Sequence, residues 1–325
     1  MPFTLLKSNA IDGGIDRPNS KNLLINSDMA VAQRGTSSSS TGYQTVDRWR
    51  LNTGTQQEQK TDAPDNFSHS MEVTGTTGGS SGYGIIYQRL ESKDILATLG
   101  KTCTLSAYVK NTGTSTANVS CEIYRANATD NWSGQTLVSS LTAQAITTSW
   151  TQIVFPSFSV PTTASTGLEV RIFRYDGSND QEWLITGVQL EVGNYTSSTL
   201  PSFQHESYEE NFKRCCRYFQ KHYYDGTETL IGSGQNYDNS TSYTPVFYPN
   251  GELRSAPSIS FVTATNGYRY TSKSHNILRN DVPLRENINR FSYQLGNNAN
   301  TVTGGEAMNV KLTNSISALS YDSEL

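Results

Sequence analysis

Charge and oil are both scarce in this 325-residue chain: Asp, Glu, Lys and Arg make up 17% of it and hydrophobic residues 35%. Helical bundles need Leu, Ala, Glu and Lys in quantity, so the shortage excludes an all-α architecture. The net charge of -4 and the lack of a basic stripe exclude nucleic acid as a partner, because phosphates need Lys and Arg to neutralise them. No apolar run approaches the ~20 residues that cross a bilayer, so membrane insertion is not expected. The opening Met1-Pro2-Phe3-Thr4-Leu5-Leu6-Lys7 lacks the basic lead and apolar stretch of a secretory signal, and synthesis in a cytoplasm is the expectation. Four cysteines are too few for a disulfide framework in a chain of this length. Cys103 and Cys121 fall on the apolar side of alternating segments, as buried thiols do, while Cys215 and Cys216 are neighbours that point in different directions on a helix. Neither zinc nor a redox pair fits them, and all four are expected to be reduced.

What fills the gap is Ser, Thr, Asn, Gln and Gly, together with 18 Tyr, 11 Phe and 4 Trp. Such large apolar bodies separate the chain from disordered polar sequences. Period-two patterns recur. Cys103, Leu105, Ala107 and Val109 alternate with polar residues, as do Val119, Cys121 and Ile123, and the two runs read as a hairpin or near-neighbour pair. Leu168-Val170-Ile172 and Val188-Leu190-Val192 repeat the signal, and Trp150 to Phe155 is a further strand. Polar stretches at Gly78 to Gly82 and Asn127 to Gly134 read as loops at sandwich edges. Between Pro201 and Tyr224 the period becomes three to four, through Tyr208, Phe212, Cys216 and Phe219, with a capping box at Ser207 and Glu210. That predicts a helix of about five turns, stopped by Asp225-Gly226. Alternation then returns around Ile259, Phe291 to Leu295 and Met308 to Leu312.

The expected fold is therefore all-β: an antiparallel β-sandwich of jelly-roll type over residues 22–200, one linking helix over 201–224, and a second, smaller β domain over 225–325. Residues 1–21 have no periodicity and read as a docking peptide or linker. No tandem repeat or heptad is present, so the chain reads as a tip or knob and not a shaft.

Several short strings stand in a fixed order. Asn22-Leu23-Leu24-Ile25-Asn26-Ser27-Asp28-Met29 is followed by Ala32-Gln33-Arg34-Gly35, Asp47-Arg48-Trp49 and Gln88-Arg89-Leu90-Glu91. Gly187-Val188-Gln189-Leu190-Glu191-Val192-Gly193, Pro201-Ser202-Phe203-Gln204-His205, Cys215-Cys216-Arg217-Tyr218-Phe219 and the final Tyr321-Asp322-Ser323-Glu324-Leu325 complete the series. In this order they resemble bacteriophage tail-fibre and virion-surface proteins that carry a carbohydrate-binding-module-like jelly roll. The resemblance implies a non-enzymatic virion protein that attaches to the host cell surface through a glycan or other receptor. It further implies first and last jelly-roll strands that lie together, homotrimers, and docking to other virion proteins through the N-terminal segment. A capsid decoration or tail adaptor protein with purely structural interfaces is the alternative, and a polysaccharide depolymerase a third reading.

Catalysis leaves no signature. The four histidines, His69, His205, His222 and His275, sit in no nucleophile motif, so no catalytic residue and no cofactor is assigned. Asp176, Asn179, Asp180 and Glu182 cluster oxygen donors about Gly177 and form a candidate calcium loop, against the plainer reading of a turn whose side chains bond their own backbone. Glycan stacking needs exposed rings, for which Trp132, Tyr243, Tyr248, Tyr268 and Tyr270, with Tyr83, are the candidates in loop-like context. Trp49, Trp150 and Trp183 border strands and are expected in the core.

Overall fold

A computed structural model describes residues 22–75, 84–112, 117–175, 182–223, 229–236, 242–262, 268–271, 276–279, 284–297, 307–312 and 318–325. The chain divides into two compact units, the first comprising residues up to 28, 51–56 and 60–205, the second 29–50, 57–59 and 206–325.

The strands come in the order β1 (Ser37–Ser38), β2 (Arg50–Thr53), β3 (Gln56–Lys60), β4 (Ser70–Thr74), β5 (Ile85–Leu90) and, after the single-turn helix α1 (Ser92–Ile95), β6 (Thr102–Asn111). Then follow β7 (Ala117–Ala128), β8 (Asn131–Ile146), β9 (Thr151–Val154), β10 (Phe158–Ser159), β11 (Leu168–Tyr175) and β12 (Glu182–Val192). After the helix α2 (Tyr208–Cys216) come β13 (Phe219–Tyr223), β14 (Thr229–Asn236), β15 (Ser242–Phe247), β16 (Ser258–Val262) and β17 (Tyr268–Thr271). The last five are β18 (Asn276–Arg279), β19 (Leu284–Glu286), β20 (Ser292–Asn297), β21 (Ala307–Leu312) and β22 (Ala318–Asp322).

The first unit is an antiparallel sandwich of jelly-roll type. One sheet runs β4-β12-β6-β10, with β9 also on β6, and the other β2-β5-β11-β7-β8. From β4 to β7 and from β10 to β12 consecutive strands change sheets, and their apolar phases meet inside: Cys103, Leu105, Ala107 and Val109 from β6, Trp183 and Ile185 from β12, against Val119, Cys121 and Ile123 from β7 and Val170 and Ile172 from β11, all buried. Asn22 ties the start of the unit to its last strand. Its Nδ2 donates to the Val188 carbonyl at 2.8 Å and its Oδ1 accepts from Leu190 N–H at 3.0 Å.

Three sequence expectations need correction. The β6 and β7 runs do not form a hairpin, because β6 pairs β12 and β9 while β7 pairs β11 and β8. Alternation fixes a strand's inward face but not which neighbour it hydrogen-bonds. Asn127 to Gly134 is not a loop: Ala128 pairs Asn131, and only Thr129 and Asp130 turn, with Asp130 at φ 51. Nor does the helix last five turns. α2 has nine residues, opened by the expected capping box at Ser207 and Glu210, and from Phe219 the chain is strand β13, paired residue for residue with β22. The Phe219-to-Tyr223 stretch carries both periods, and tertiary pairing decides between them.

The second unit contains a three-stranded sheet, β13-β22-β16, and a seven-stranded one, β18-β17-β21-β14-β15-β20-β19. Its core gathers Ile231, Val246, Tyr248, Leu253, Ile259, Tyr293, Val310, Leu312, Leu319 and Tyr321. Residues 29–50 belong to it through a buried polar lock. Gln33 donates to Asp47 Oδ2 at 2.5 Å and to the Phe219 carbonyl at 3.1 Å. Arg34 pairs Asp322 at 3.0 Å with its guanidinium 3.8 Å over the Phe219 ring. Arg48, fully buried, pairs Glu324. The strings Gln33-Arg34, Asp47-Arg48, Tyr218-Phe219 and Asp322-Ser323-Glu324 thus meet in one place as structure. All four cysteines are buried and free.

Candidate functional site

A cleft of about 450 Å³ opens on the first unit, lined by Asp65, Asn66, Phe67, Tyr108, Gln152, Leu200, Pro201, Ser202, Phe203 and His205. Its floor is the solvent-side phase of β6 and β9, which is why a tyrosine on the polar phase of β6 faces it. Two segments build the walls.

The first wall is the stretch between β3 and β4. Phe67 N–H donates to the Pro64 carbonyl at 3.1 Å, and Asn66 takes the left-handed conformation at φ 71 that the third position of such a turn requires. Asp62 pins this stretch to the sheet, accepting from Lys110 Nζ at 2.6 Å and from Trp150 Nε1 at 2.9 Å. The Lys110 hydrogen bond holds the Asp62 carboxyl below its ordinary range.

The second wall is the chain that leaves β12 and returns across the same face. Gly193 O accepts from Thr104 Oγ1 at 2.8 Å, Tyr195 N–H donates to that hydroxyl at 3.0 Å, and Gln189 Nε2 donates to the Pro201 carbonyl at 3.2 Å. These bonds deliver Phe203 and His205 to Phe67. Ring centroids are 4.9 Å apart for Phe67 and Phe203, 4.8 Å for Phe67 and His205, 4.8 Å for Phe203 and His205, and 5.3 Å for Phe67 and Tyr108. Gly187 makes the approach possible. It sits at φ 57 within the irregularity between Thr186 and Gln189, and a Cβ there would lie 2.7 Å from Phe67 Cζ and 2.8 Å from Tyr108 Cδ2.

The result is a half-open cleft with an aromatic wall and Asp65, Asn66, Gln152 and Ser202 around it. Among the described residues none of those four side chains is engaged in a hydrogen bond, so each keeps its donors and acceptors for a ligand. Stacking faces with a few convergent polar groups are the equipment of a binding cleft.

The structure places the sequence-derived candidates elsewhere. Trp132 lies in β8, half-buried, with Arg89 4.8 Å over its ring, and its edge would meet a Cβ at Gly167 at 3.3 Å. It roofs a packed array in which the buried Glu169 accepts from Arg89 at 2.8 Å and from Arg171 at 3.0 Å. Tyr248 is only 4% exposed and belongs to the second unit's core, its hydroxyl donating to the Asn289 carbonyl at 2.7 Å and its ring against Tyr293 and Tyr321; its faces are occupied. Tyr243 is in β15, opposite Gly296, and Tyr268 and Tyr270 are in β17, opposite Arg279 and Ile277. Tyr83, Asp176, Asn179 and Asp180 lie outside the described residues; Glu182 begins β12, and its carbonyl accepts from Arg174 at 2.7 Å. Among the described residues no three His, Cys, Asp or Glu side chains converge as a metal set. Trp49 and Trp183 are in the core, and Trp150 is half-buried.

No family model matches the chain, and no curated protein does. Solved structures align at low identity. The CBM22-1 xylan-binding domain of Paenibacillus barcinonensis Xyn10C is 15% identical over 55% of this chain and 97% of its own, with a TM-score of 0.35. A putative sugar binding protein from Bacteroides thetaiotaomicron is 12% identical over 53% of this chain and 100% of its own, at 0.37. The CBM22-1–CBM22-2 tandem domain of the same Xyn10C is 12% identical and covers 94% of this chain and 96% of its own, at 0.36.

Proposed function

We propose that this chain is a non-enzymatic virion-surface protein of bacteriophage type that recognises host-cell glycans through the first unit's cleft. The observation that carries the recognition step is the meeting of Phe67, Tyr108 and Phe203 with the unengaged Asn66, Gln152 and Ser202 around one cavity. A pyranose presents an apolar C–H face and a rim of hydroxyls, and rings beside free amide and hydroxyl groups meet both. The ordered strings from Asn22 to Leu325 support the virion assignment. On this reading the protein works as a homotrimer and docks to another virion protein through residues 1–21.

A tail-adaptor or decoration role is favoured by one observation in the second unit, where Phe247 and Phe291 are 67% and 50% exposed. Apolar rings left in solvent suit a protein interface.

The full chain applied to a glycan array and to bacterial cells tests the proposal. Binding that Phe203→Ala reduces at least tenfold supports it. Undiminished cell binding by Phe203→Ala, or cell binding with no glycan recognised, moves recognition off the cleft. Release of reducing ends from host polysaccharide would replace the non-enzymatic reading.

A further inference from the structure

We infer that the glycan taken by this cleft carries a free ammonium group, as a de-N-acetylated amino sugar does; the inference rests on the glycan-binding reading above. The cleft is lined by one carboxylate, Asp65, and by no lysine or arginine. Lys110, two residues from Tyr108 on the same face of β6, is held by Asp62 at 2.6 Å. Asp65 is exposed on the turn that positions Phe67, and among the described residues it has no hydrogen-bond or ion-pair partner.

The aromatic wall works in the same direction. Phe67, Phe203 and Tyr108 present rings whose faces attract cations, while an anion brought against them meets negative π density and the Asp65 charge together. A uronate, sialate or phosphate would best be met by a lysine or arginine, and the lining has neither. A neutral sugar is tolerated but leaves Asp65 without a counter-charge. A primary amine on the sugar ring satisfies the carboxylate and stacks its C–H face on the rings.

Binding of the full chain to glucosamine tetramer, N-acetylglucosamine tetramer and galacturonate tetramer, measured by calorimetry at low and at physiological salt, tests this. A solvent-exposed ion pair together with a cation–π contact predicts about three- to tenfold tighter binding of glucosamine than of N-acetylglucosamine tetramer. That ratio falls toward one in Asp65→Asn and shrinks with added salt. Equal affinity for the two sugars, or a ratio that Asp65→Asn leaves in place, overturns the inference while glycan binding stands. Galacturonate bound as tightly as glucosamine, and lost in Phe203→Ala, overturns it as well. If none of the three binds and the array is empty, the glycan reading itself fails, and this inference with it.

Discussion

The guanidinium carbon of Arg48 lies 3.4 Å from the centre of the Tyr218 ring, and the same guanidinium pairs with Glu324 near the end of the chain. Arg48 is fully buried and Glu324 5% exposed, so neither charge has water to fall back on. A buried pair of this kind holds segments together chiefly because breaking it strands a charge. Here it joins a residue from the 29–50 stretch to the residues after β22, within the second unit.

Arg48→Met is therefore expected to destabilise the second unit by at most about 3–5 kcal/mol, the usual cost of orphaning one buried partner, because Arg34 still lies 3.5 Å from the other Glu324 carboxylate oxygen. The double variant Arg48→Met with Glu324→Leu should recover part of that loss, since it removes the carboxylate that has lost its nearer partner while Arg34 keeps Asp322 at 3.0 Å. Calorimetric unfolding of the full chain and of both variants measures the two losses. A double variant as unstable as the single one would show that packing, and not the charge pair, sets the cost.

Two buried groups in the same unit titrate against each other. Burial pushes the Asp47 carboxyl up to about 7, against the pull of Arg34, and pushes the His222 imidazole down to about 4. As pH rises from about 4 to about 7, folded Asp47 holds a proton that the unfolded chain has released, so its contribution to stability falls. Below the ordinary histidine value of 6.5, unfolded His222 takes a proton that the folded form refuses, so its contribution rises with pH over about 4 to 6.5. Opposite slopes flatten the wild-type profile. Asp47→Asn should leave stability rising with pH in that window, and His222→Asn should leave it falling, each by at most about 1.4 kcal/mol per pH unit. Melting temperatures from pH 4 to 8 check this, and two variants with the same sign of slope would refute it.

Much of this frame was readable from residue patterns. Period-two runs around Cys103, Val119, Leu168 and Val188 located the sandwich, because one buried face writes itself into alternate residues. The Ser207 and Glu210 capping box located the start of α2. Strand partners were not readable, which is why β6 and β7 were expected side by side. The cleft was not legible: the string Pro201-Ser202-Phe203-Gln204-His205 stands out only within the ordered series, and Tyr108 lies on the polar phase of β6, where only the fold separates a cleft floor from a solvated face. Phe67 carried no local signal, since only the fold brings the 60–69 stretch onto β6. Tyr248 stands in a loop-like stretch of sequence, but a residue beside a strand end can turn inward, and its ring lies in the core.

Gly187 offers the sharpest test of how the cleft is built, because Gly100 supplies a matched control in the same unit. Both sit in the left-handed region, at φ 57 and φ 73, so Gly→Ala costs each of them about 1–2 kcal/mol in backbone strain. They differ in surroundings. A Cβ at Gly100 meets nothing within 4 Å, whereas at Gly187 it meets Phe67 and Tyr108 at under 3 Å and one ring must move. Gly187→Ala should therefore lose about 1–3 kcal/mol more than Gly100→Ala, the usual cost of overpacking. It should also change the near-ultraviolet circular dichroism of the aromatic cluster and weaken glycan binding well beyond any effect of Gly100→Ala. Equal losses of stability with unchanged spectra would mean that the Phe67 ring shifts freely, and that Gly187 serves only the irregularity in β12.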